Sequence, residues 1–192
     1  MLIDRLGSWD AVVTRMDVWF GQGRGLKNTY YFFLEARGRW HWKPILWKAC
    51  ILPKHMIILW LLAHGKLLTK DRLGHVEDKV CGFCNAFEES VRQLFFNCAI
   101  TTTIWDRVRE WLGMRKLMRS VKAIGRAFKG VYRGSSTLAS MRVSALAATV
   151  YRVWTSRNRT IFEGEKLNID DATRRIKLMV LRCVSMPCNI FL

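Results

Sequence analysis

The sequence lacks a long apolar run and a leader-like beginning, and each absence excludes a class of protein. Its most membrane-like stretch, residues 56–63, is eight residues long, whereas a membrane-spanning helix needs about 20. The first ten residues contain Asp4 and Asp10 instead of a basic region followed by an apolar one, so they do not resemble a secretory signal peptide. We therefore expect no membrane span. We also expect an intracellular, reducing location, in which the six cysteines form no disulfide framework.

Acidic residues are also scarce. The chain has 15 Asp and Glu against 32 Lys and Arg, which gives a formal net charge of +17 over 192 residues. Such a charge predicts attraction to polyanions, with nucleic acid ahead of anionic membrane surfaces, and leaves a nuclear location open. Drift in a weakly selected reading frame is another origin of a basic composition, and it stays open. A hydrophobic content of 51% is sufficient for a folded core.

Between Trp111 and Phe162 there is no acidic residue, and the cations of this region are regularly spaced. Six of them step by three or four residues, which places them on one face of a helix. These six are Arg115, Arg119, Lys122, Arg126, Lys129 and Arg133. Because phosphate contacts release counterions, we predict that this basic stripe binds nucleic acid. A solvated helix face and an anionic membrane surface are the alternatives.

Apolar periodicity and capping residues predict a mainly α-helical protein, with short helices around an irregular cysteine-rich segment and longer basic helices after it. Apart from the basic stripe, helices are predicted at residues 2–20, 29–37, 44–50, 53–63, 70–73, 99–112, 137–162 and 169–183. Ser135 or Ser136 is predicted to cap the helix at 137–162, and Gly164 to end it. Asp170 or Asp171 is predicted to cap the last helix.

Three cysteines have the spacing of metal ligands. Cys81 and Cys84 form a C-x2-C pair, and Cys98 follows in the stretch CGFCNAFEESVRQLFFNC. Structural zinc sites take clusters of Cys and His in tetrahedral geometry, so these cysteines are candidate zinc ligands. A histidine at position 93 would complete a C-x2-C-x8-H-x4-C pattern, but the sequence has Gln93 there.

This substitution weakens the predicted site. A glutamine amide oxygen is a poorer zinc ligand than imidazole, and even changes outside the ligand shell cost about 10- to 100-fold in metal affinity. Water, His75 or Cys50 could instead supply the fourth ligand. Retained zinc, weakly bound zinc and metal-free cysteines that act as small apolar residues all remain open.

Several motifs together resemble a known family. Residues 42–73, residues 80–98 and the following IWDRVREWLG resemble the zinc-binding domain downstream of the reverse transcriptase in plant non-LTR (LINE-type) retrotransposons. The motifs include Pro53 with Lys54, the L-x-T-x-x-x-L run at residues 67–73, and the L-F-F-x-C ending at residues 94–98. Two more segments, GRGLKNTYYFFL and VYRVWTSRNRTIFEG, extend the likeness to about residues 17–184.

The resemblance implies an accessory, C-terminal part of a retrotransposon polyprotein that binds zinc and nucleic acid. It implies Cys81, Cys84 and Cys98 as metal ligands and gives no such role to Gln93. It divides the chain into an N-terminal helical segment (1–38), a reverse transcriptase zinc-binding-like domain (39–113) and a basic helical C-terminal extension (114–192).

No polymerase palm, endonuclease or RNase H motif is recognisable, so we expect neither an enzyme nor a small-molecule substrate. The leading hypothesis is a non-catalytic, zinc- and nucleic-acid-binding remnant of such an element. The alternatives are a metal-free structural or protein-interaction domain and a decayed reading frame with no present function.

Overall fold

A computed structural model describes residues 50–74, 76–115, 120–121, 123–124 and 136–185, all of which belong to one compact unit. Its α-helices are α1 Pro53–Ala63, α2 Ala99–Trp111, α3 Thr137–Glu163 and α4 Ile169–Ser185. A 3-10 turn, Lys70–Arg72, and a π-helical turn, Gln93–Asn97, lie between α1 and α2. In these ranges there is no strand, only an isolated antiparallel bridge between Val80 and Glu88. The predicted mainly α-helical fold, with the cysteine-rich segment between shorter and longer helices, is confirmed.

Local sequence sets the ends of these helices. Pro53 occupies the first turn of α1, where a missing N–H costs no hydrogen bond. The Ser136 hydroxyl caps α3 by accepting a hydrogen bond from the Ala139 backbone N–H at 3.2 Å. Gly164 ends α3 in the left-handed conformation, at a φ of +70°. The helices predicted at residues 53–63, 99–112 and 137–162 are confirmed to within a residue.

The predicted cap of α4 is wrong. Asn168 Oδ1 accepts a hydrogen bond from the Asp171 backbone N–H at 2.9 Å, so the cap precedes both aspartates. Asp170 and Asp171 lie in the first turn, where the helix dipole favours negative charge. Asparagine caps a helix as well as aspartate does, which is why the pair of aspartates gave a misleading signal.

The longest helix, α3, is central to the fold. Helices α1 and α4 pack along it, and α2 packs against both α3 and α4. The small side chains of Ala145 and Ala148 let the helices approach closely. The buried core shared by α2, α3 and α4 contains Ile104, Val108, Leu112, Ala145, Ala148, Ala172, Ile176 and Val180. The domain boundary between residues 113 and 114 stays a prediction, although this core draws on residues from both sides of it.

Some predictions fall outside the described residues. They are the helices at residues 2–20 and 29–37, all but the last residue of the helix at 44–50, and most of the basic stripe. Within the stripe, the Ile124 backbone N–H donates to the Ser120 carbonyl at 2.9 Å, which makes one helical turn. Ile124 is fully buried, as expected of the apolar face opposite the cations. None of the described helices combines the length and apolar character needed to cross a bilayer.

Candidate metal centre

The three predicted cysteine ligands come together in the fold. The Sγ atoms of Cys81, Cys84 and Cys98 lie within 4.8 Å of one another, and Cys81 and Cys98 are fully buried. Tetrahedral zinc, with Zn–S bonds of about 2.3 Å, separates its sulfur ligands by about 3.8 Å. Small side-chain movements would therefore close the cluster around an ion. Among the described residues, no other group of three or more His, Cys, Asp or Glu ligand atoms is close enough to hold a metal.

A tight loop holds Cys81 and Cys84. The Asn85 backbone N–H donates to the Cys81 carbonyl at 2.9 Å, and the Cys81 N–H donates to the Phe87 carbonyl at the same distance. Asn85 has a φ of +50°, a left-handed conformation that Asn adopts more readily than most residues. The bridge between Val80 and Glu88 closes the loop at its base. These backbone contacts fix the C-x2-C pair in one place.

Cys98 comes from a different element, because it occupies the N-cap position of α2. The preceding π-helical turn closes with a hydrogen bond from the Cys98 N–H to the Gln93 carbonyl at 2.7 Å. The Trp105 indole N–H of α2 donates to the Phe95 carbonyl at 2.8 Å and so joins the turn to the helix. Leu94 and Phe95 are fully buried, which anchors the turn in the core.

The surroundings of the cluster favour a thiolate at Cys98. A hydrogen bond with the Cys81 thiol, helped by the backbone N–H groups of Thr101 and Ile100, lowers the pKa of Cys98 to about 7 against the opposing effect of burial. The same hydrogen bond, together with burial, raises the pKa of Cys81. In this pair the Cys81 thiol keeps its proton and donates the hydrogen bond that Cys98 Sγ accepts. Zinc binds thiolates, so metal binding would release that proton.

Gln93 lies directly beside the sulfur cluster. Its side chain is 7% exposed, and Nε2 donates a hydrogen bond to Cys84 Sγ at 3.3 Å. The other amide atom, Oε1, is buried and has no hydrogen-bond partner among the residues that the structure describes. The side chain at the position that the sequence pattern assigned to a fourth ligand therefore contacts one of the three thiols, that of Cys84.

Cys50 is not at the cluster. Its Sγ donates to the Ser140 carbonyl at 3.6 Å, near the beginning of α3. The cysteine loop contacts the other end of α3, where a Cβ placed on Gly82 would lie 3.3 Å from Thr160 Cγ2. About 20 helical residues, at 1.5 Å per residue, separate these two contacts by about 30 Å. Cys50 therefore does not supply a fourth ligand, and His75 lies outside the described residues.

Sequence analysis missed a buried ion pair next to the cysteine loop. Glu89 is fully buried and Arg157 is 4% exposed, and Arg157 Nη2 lies 2.6 Å from Glu89 Oε1. The Lys70 backbone N–H also donates to Glu89 Oε1, at 2.8 Å. The Arg157 guanidinium lies 5.1 Å from the centre of the Trp154 ring. This pair joins the cysteine-rich segment to α3, and its partners are too distant in sequence for spacing to reveal them.

The basic stripe is largely untested by the structure. Arg115 is described and exposed. Arg119, Lys122, Arg126, Lys129 and Arg133 lie outside the described residues, so their role in nucleic-acid binding stays a prediction. Other exposed cations in the described ranges are Lys54, Lys66, Arg72, Arg92, Arg107, Arg159, Lys166, Arg174, Arg175 and Arg182.

Comparison with known proteins finds a zinc-binding domain family that matches the segment with the three cysteines. Residues 25–105 match a domain family described as zinc-binding in reverse transcriptase. The matched segment contains all three cysteines and Gln93, and it ends inside α2. Searches of curated proteins and of solved structures found no match. The match supports the resemblance to a reverse transcriptase zinc-binding domain.

Proposed function

We propose that this protein is a non-catalytic accessory region, related to the reverse transcriptase of a plant LINE-type retrotransposon, that binds zinc and nucleic acid. The observation that carries the proposal is the convergence of Cys81, Cys84 and Cys98 within the matched segment. Three thiols whose Sγ atoms lie within 4.8 Å of one another form a donor set that suits zinc. Zinc would serve there as a structural cross-link.

Zinc would join the loop that carries Cys81 and Cys84 to the first turn of α2, which begins after Cys98. The Glu89–Arg157 pair joins the same segment to α3. These two links would hold the cysteine loop, α2 and α3 in a fixed arrangement. The proposed role of the ion is therefore to order the helices α2 and α3, which flank the basic stripe in the sequence.

The net charge of +17 supports nucleic acid as the partner. We propose that the basic stripe, Arg115 to Arg133, contacts the phosphate backbone. Contacts of this type neutralise phosphates and release counterions, so they give affinity with little sequence preference. The exposed Arg115 is the member of the stripe that the structure describes.

The test uses the full chain, loaded with zinc and then treated with a chelator, in binding measurements with duplex DNA and single-stranded RNA over a salt series. We expect one zinc per chain and a logarithm of affinity that falls linearly with the logarithm of salt concentration. Reversing Arg119, Lys122 and Arg126 to Glu should reduce the slope for duplex DNA by about 3, at about 0.9 per lost phosphate contact.

A matched control reverses three exposed cations of α4, Arg174, Arg175 and Arg182, and so changes the net charge by the same amount. If both triple variants change the slope equally, overall charge and not the stripe governs binding. A chain that binds no zinc, binds no nucleic acid at low salt, or binds with an affinity that ignores salt would contradict the proposal. If the affinity for nucleic acid is unchanged by reversal of Arg119, Lys122 and Arg126, the result would favour a protein-interaction domain.

A further inference from the structure

We infer that Gln93 is the fourth metal ligand of this chain and that it binds through its side-chain oxygen, Oε1. The inference rests on the proposed zinc-binding function and adds the residue that completes the site. It accounts for a feature of Gln93 that hydrogen bonding within the described residues leaves unexplained, the buried Oε1 without a partner.

The burial of Gln93 is the first observation. Gln93 is 7% exposed, and its Oε1 is buried. Nε2 has a partner in Cys84 Sγ, but Oε1 has none among the described residues. A buried oxygen without a partner is unfavourable, and a cation among the thiols would satisfy it once the amide has turned toward them.

The distance to Cys84 is the second observation. The last torsion of a glutamine side chain is broad and roughly two-fold, so a half-turn exchanges Oε1 and Nε2 in space. After such a half-turn Oε1 would occupy the present position of Nε2, which is 3.3 Å from Cys84 Sγ. Zinc bond lengths of about 2.3 Å to sulfur and about 2.1 Å to oxygen give a ligand separation of about 3.6 Å in a tetrahedron. The amide therefore lies at about the distance from Cys84 Sγ that separates two ligands of one zinc ion.

The backbone of Gln93 is the third observation. Its carbonyl accepts a hydrogen bond from the N–H of Cys98, which is itself a candidate ligand, at 2.7 Å. Its N–H donates to the Ser90 hydroxyl at 3.1 Å. These contacts hold residue 93 beside the cluster. Binding then needs a rotation of the amide together with the small movements that bring the three thiols closer.

The experiment titrates the reduced full chain with cobalt(II), whose visible absorption reports tetrahedral coordination, and with zinc in competition against a chelator. Four variants are compared with the natural chain: Gln93→Ala, Gln93→Glu, Gln93→His and His75→Ala. We expect Gln93→Ala to bind at least about 10-fold more weakly and to alter the cobalt spectrum. Gln93→His and Gln93→Glu should bind more tightly, because imidazole and carboxylate are stronger zinc ligands than an amide. His75→Ala should match the natural chain.

Gln93→Glu separates ligation from a simpler role. If Gln93 only donates a hydrogen bond to the Cys84 thiolate, a carboxylate would repel that thiolate, and Gln93→Glu would weaken metal binding. That result would overturn the inference. So would an unchanged affinity and spectrum in Gln93→Ala, which would indicate water, or weaker binding in His75→Ala, which would indicate His75.

Failure of this inference and failure of the proposed function give different results. A natural chain that binds no cobalt or zinc overturns both. Binding that is lost in Cys84→Ser but ignores every change at position 93 overturns only the assignment of Gln93. Unfolding of each metal-free variant, followed by circular dichroism, shows whether a loss of affinity reflects a loss of fold, and the near-isosteric Gln93→Glu keeps the test decisive if Gln93→Ala is unfolded.

Discussion

At the scale of single residues, Glu89 is the side chain whose burial most needs compensation. A carboxylate with no exposed surface loses its hydration, and the structure replaces that hydration with the Arg157 guanidinium and the Lys70 backbone N–H. Arg157 is buried as well, so neither charge can turn to water if the other is removed. The pair therefore makes the fold sensitive to either residue alone.

We predict that Glu89→Leu lowers the free energy of unfolding by about 3–5 kcal/mol, because it leaves Arg157 as an uncompensated buried charge. Urea denaturation of zinc-loaded protein measures this change. Glu165→Gln is the matched control. Glu165 pairs with Arg159, which lies on α3 as Arg157 does, and the Glu165 and Arg159 side chains are 55% and 48% exposed. The control should cost at most about 1 kcal/mol.

The double variant Glu89→Leu, Arg157→Met tests the physical reason. Because both charges are gone, it should recover much of the stability that Glu89→Leu loses. If the double variant instead has a lower free energy of unfolding than Glu89→Leu, the loss of stability comes from altered packing and not from an unpaired charge.

At the scale of elements, the connection between α3 and α4 is bounded by residues that set the helix ends. Ser136 begins α3 and Gly164 ends it, while Asn168 begins α4 after a short connection. The two helices pack extensively against each other.

We predict that Asn168→Ala lowers the free energy of unfolding by about 1 kcal/mol, because the Asp171 N–H loses its acceptor. Asn168→Asp should stay close to the natural chain, since aspartate also caps a helix and adds negative charge at its positive end. Thermal unfolding compares the three proteins. Equal losses in both variants would show that Asn168 does not act as a cap.

These elements also show how far the sequence could be interpreted alone. Pro53, Ser136 and Gly164 act through neighbours within a few residues, so the helix ends that they set could be predicted. The C-x2-C spacing similarly brought out the cluster and the position of Gln93. The Glu89–Arg157 pair could not be predicted, because 68 positions separate its members and no periodicity links them. The contact between Gln93 and Cys84 depends on a side-chain torsion, which spacing does not specify.

At the scale of the whole molecule, stability should depend on pH through a buried histidine. His55 is 1% exposed, and its ring centre lies 4.4 Å from that of Tyr151. Burial, with a smaller contribution from the charge of Lys54, lowers the pKa of His55 to about 4 from an ordinary value of 6.5. Below pH 6.5 the unfolded chain binds a proton that the folded chain does not bind until about pH 4, so acid favours unfolding.

We predict that, between pH 7 and pH 4, the natural chain loses about 3 kcal/mol more stability than His55→Phe, which cannot titrate but keeps a ring beside Tyr151. Urea denaturation at several pH values measures both proteins. Burial also lowers the pKa of His64, to about 4, and His64 is present in both proteins, so its contribution cancels in the comparison. Parallel pH profiles would contradict the prediction.

The buried pair between Glu89 and Arg157 bears on how this protein can be divided. The segment that matches the reverse transcriptase family stops at residue 105, inside α2, yet the charge of Glu89 within it is neutralised from α3. The segment of similarity and the set of elements that pack together therefore have different borders. A chimaeric protein that takes residues 25–105 from this chain would keep the fold only if the rest of the chimaera supplies an arginine equivalent to Arg157. A chimaera joined at residue 105 without that arginine would bury the Glu89 carboxylate without a counter-charge.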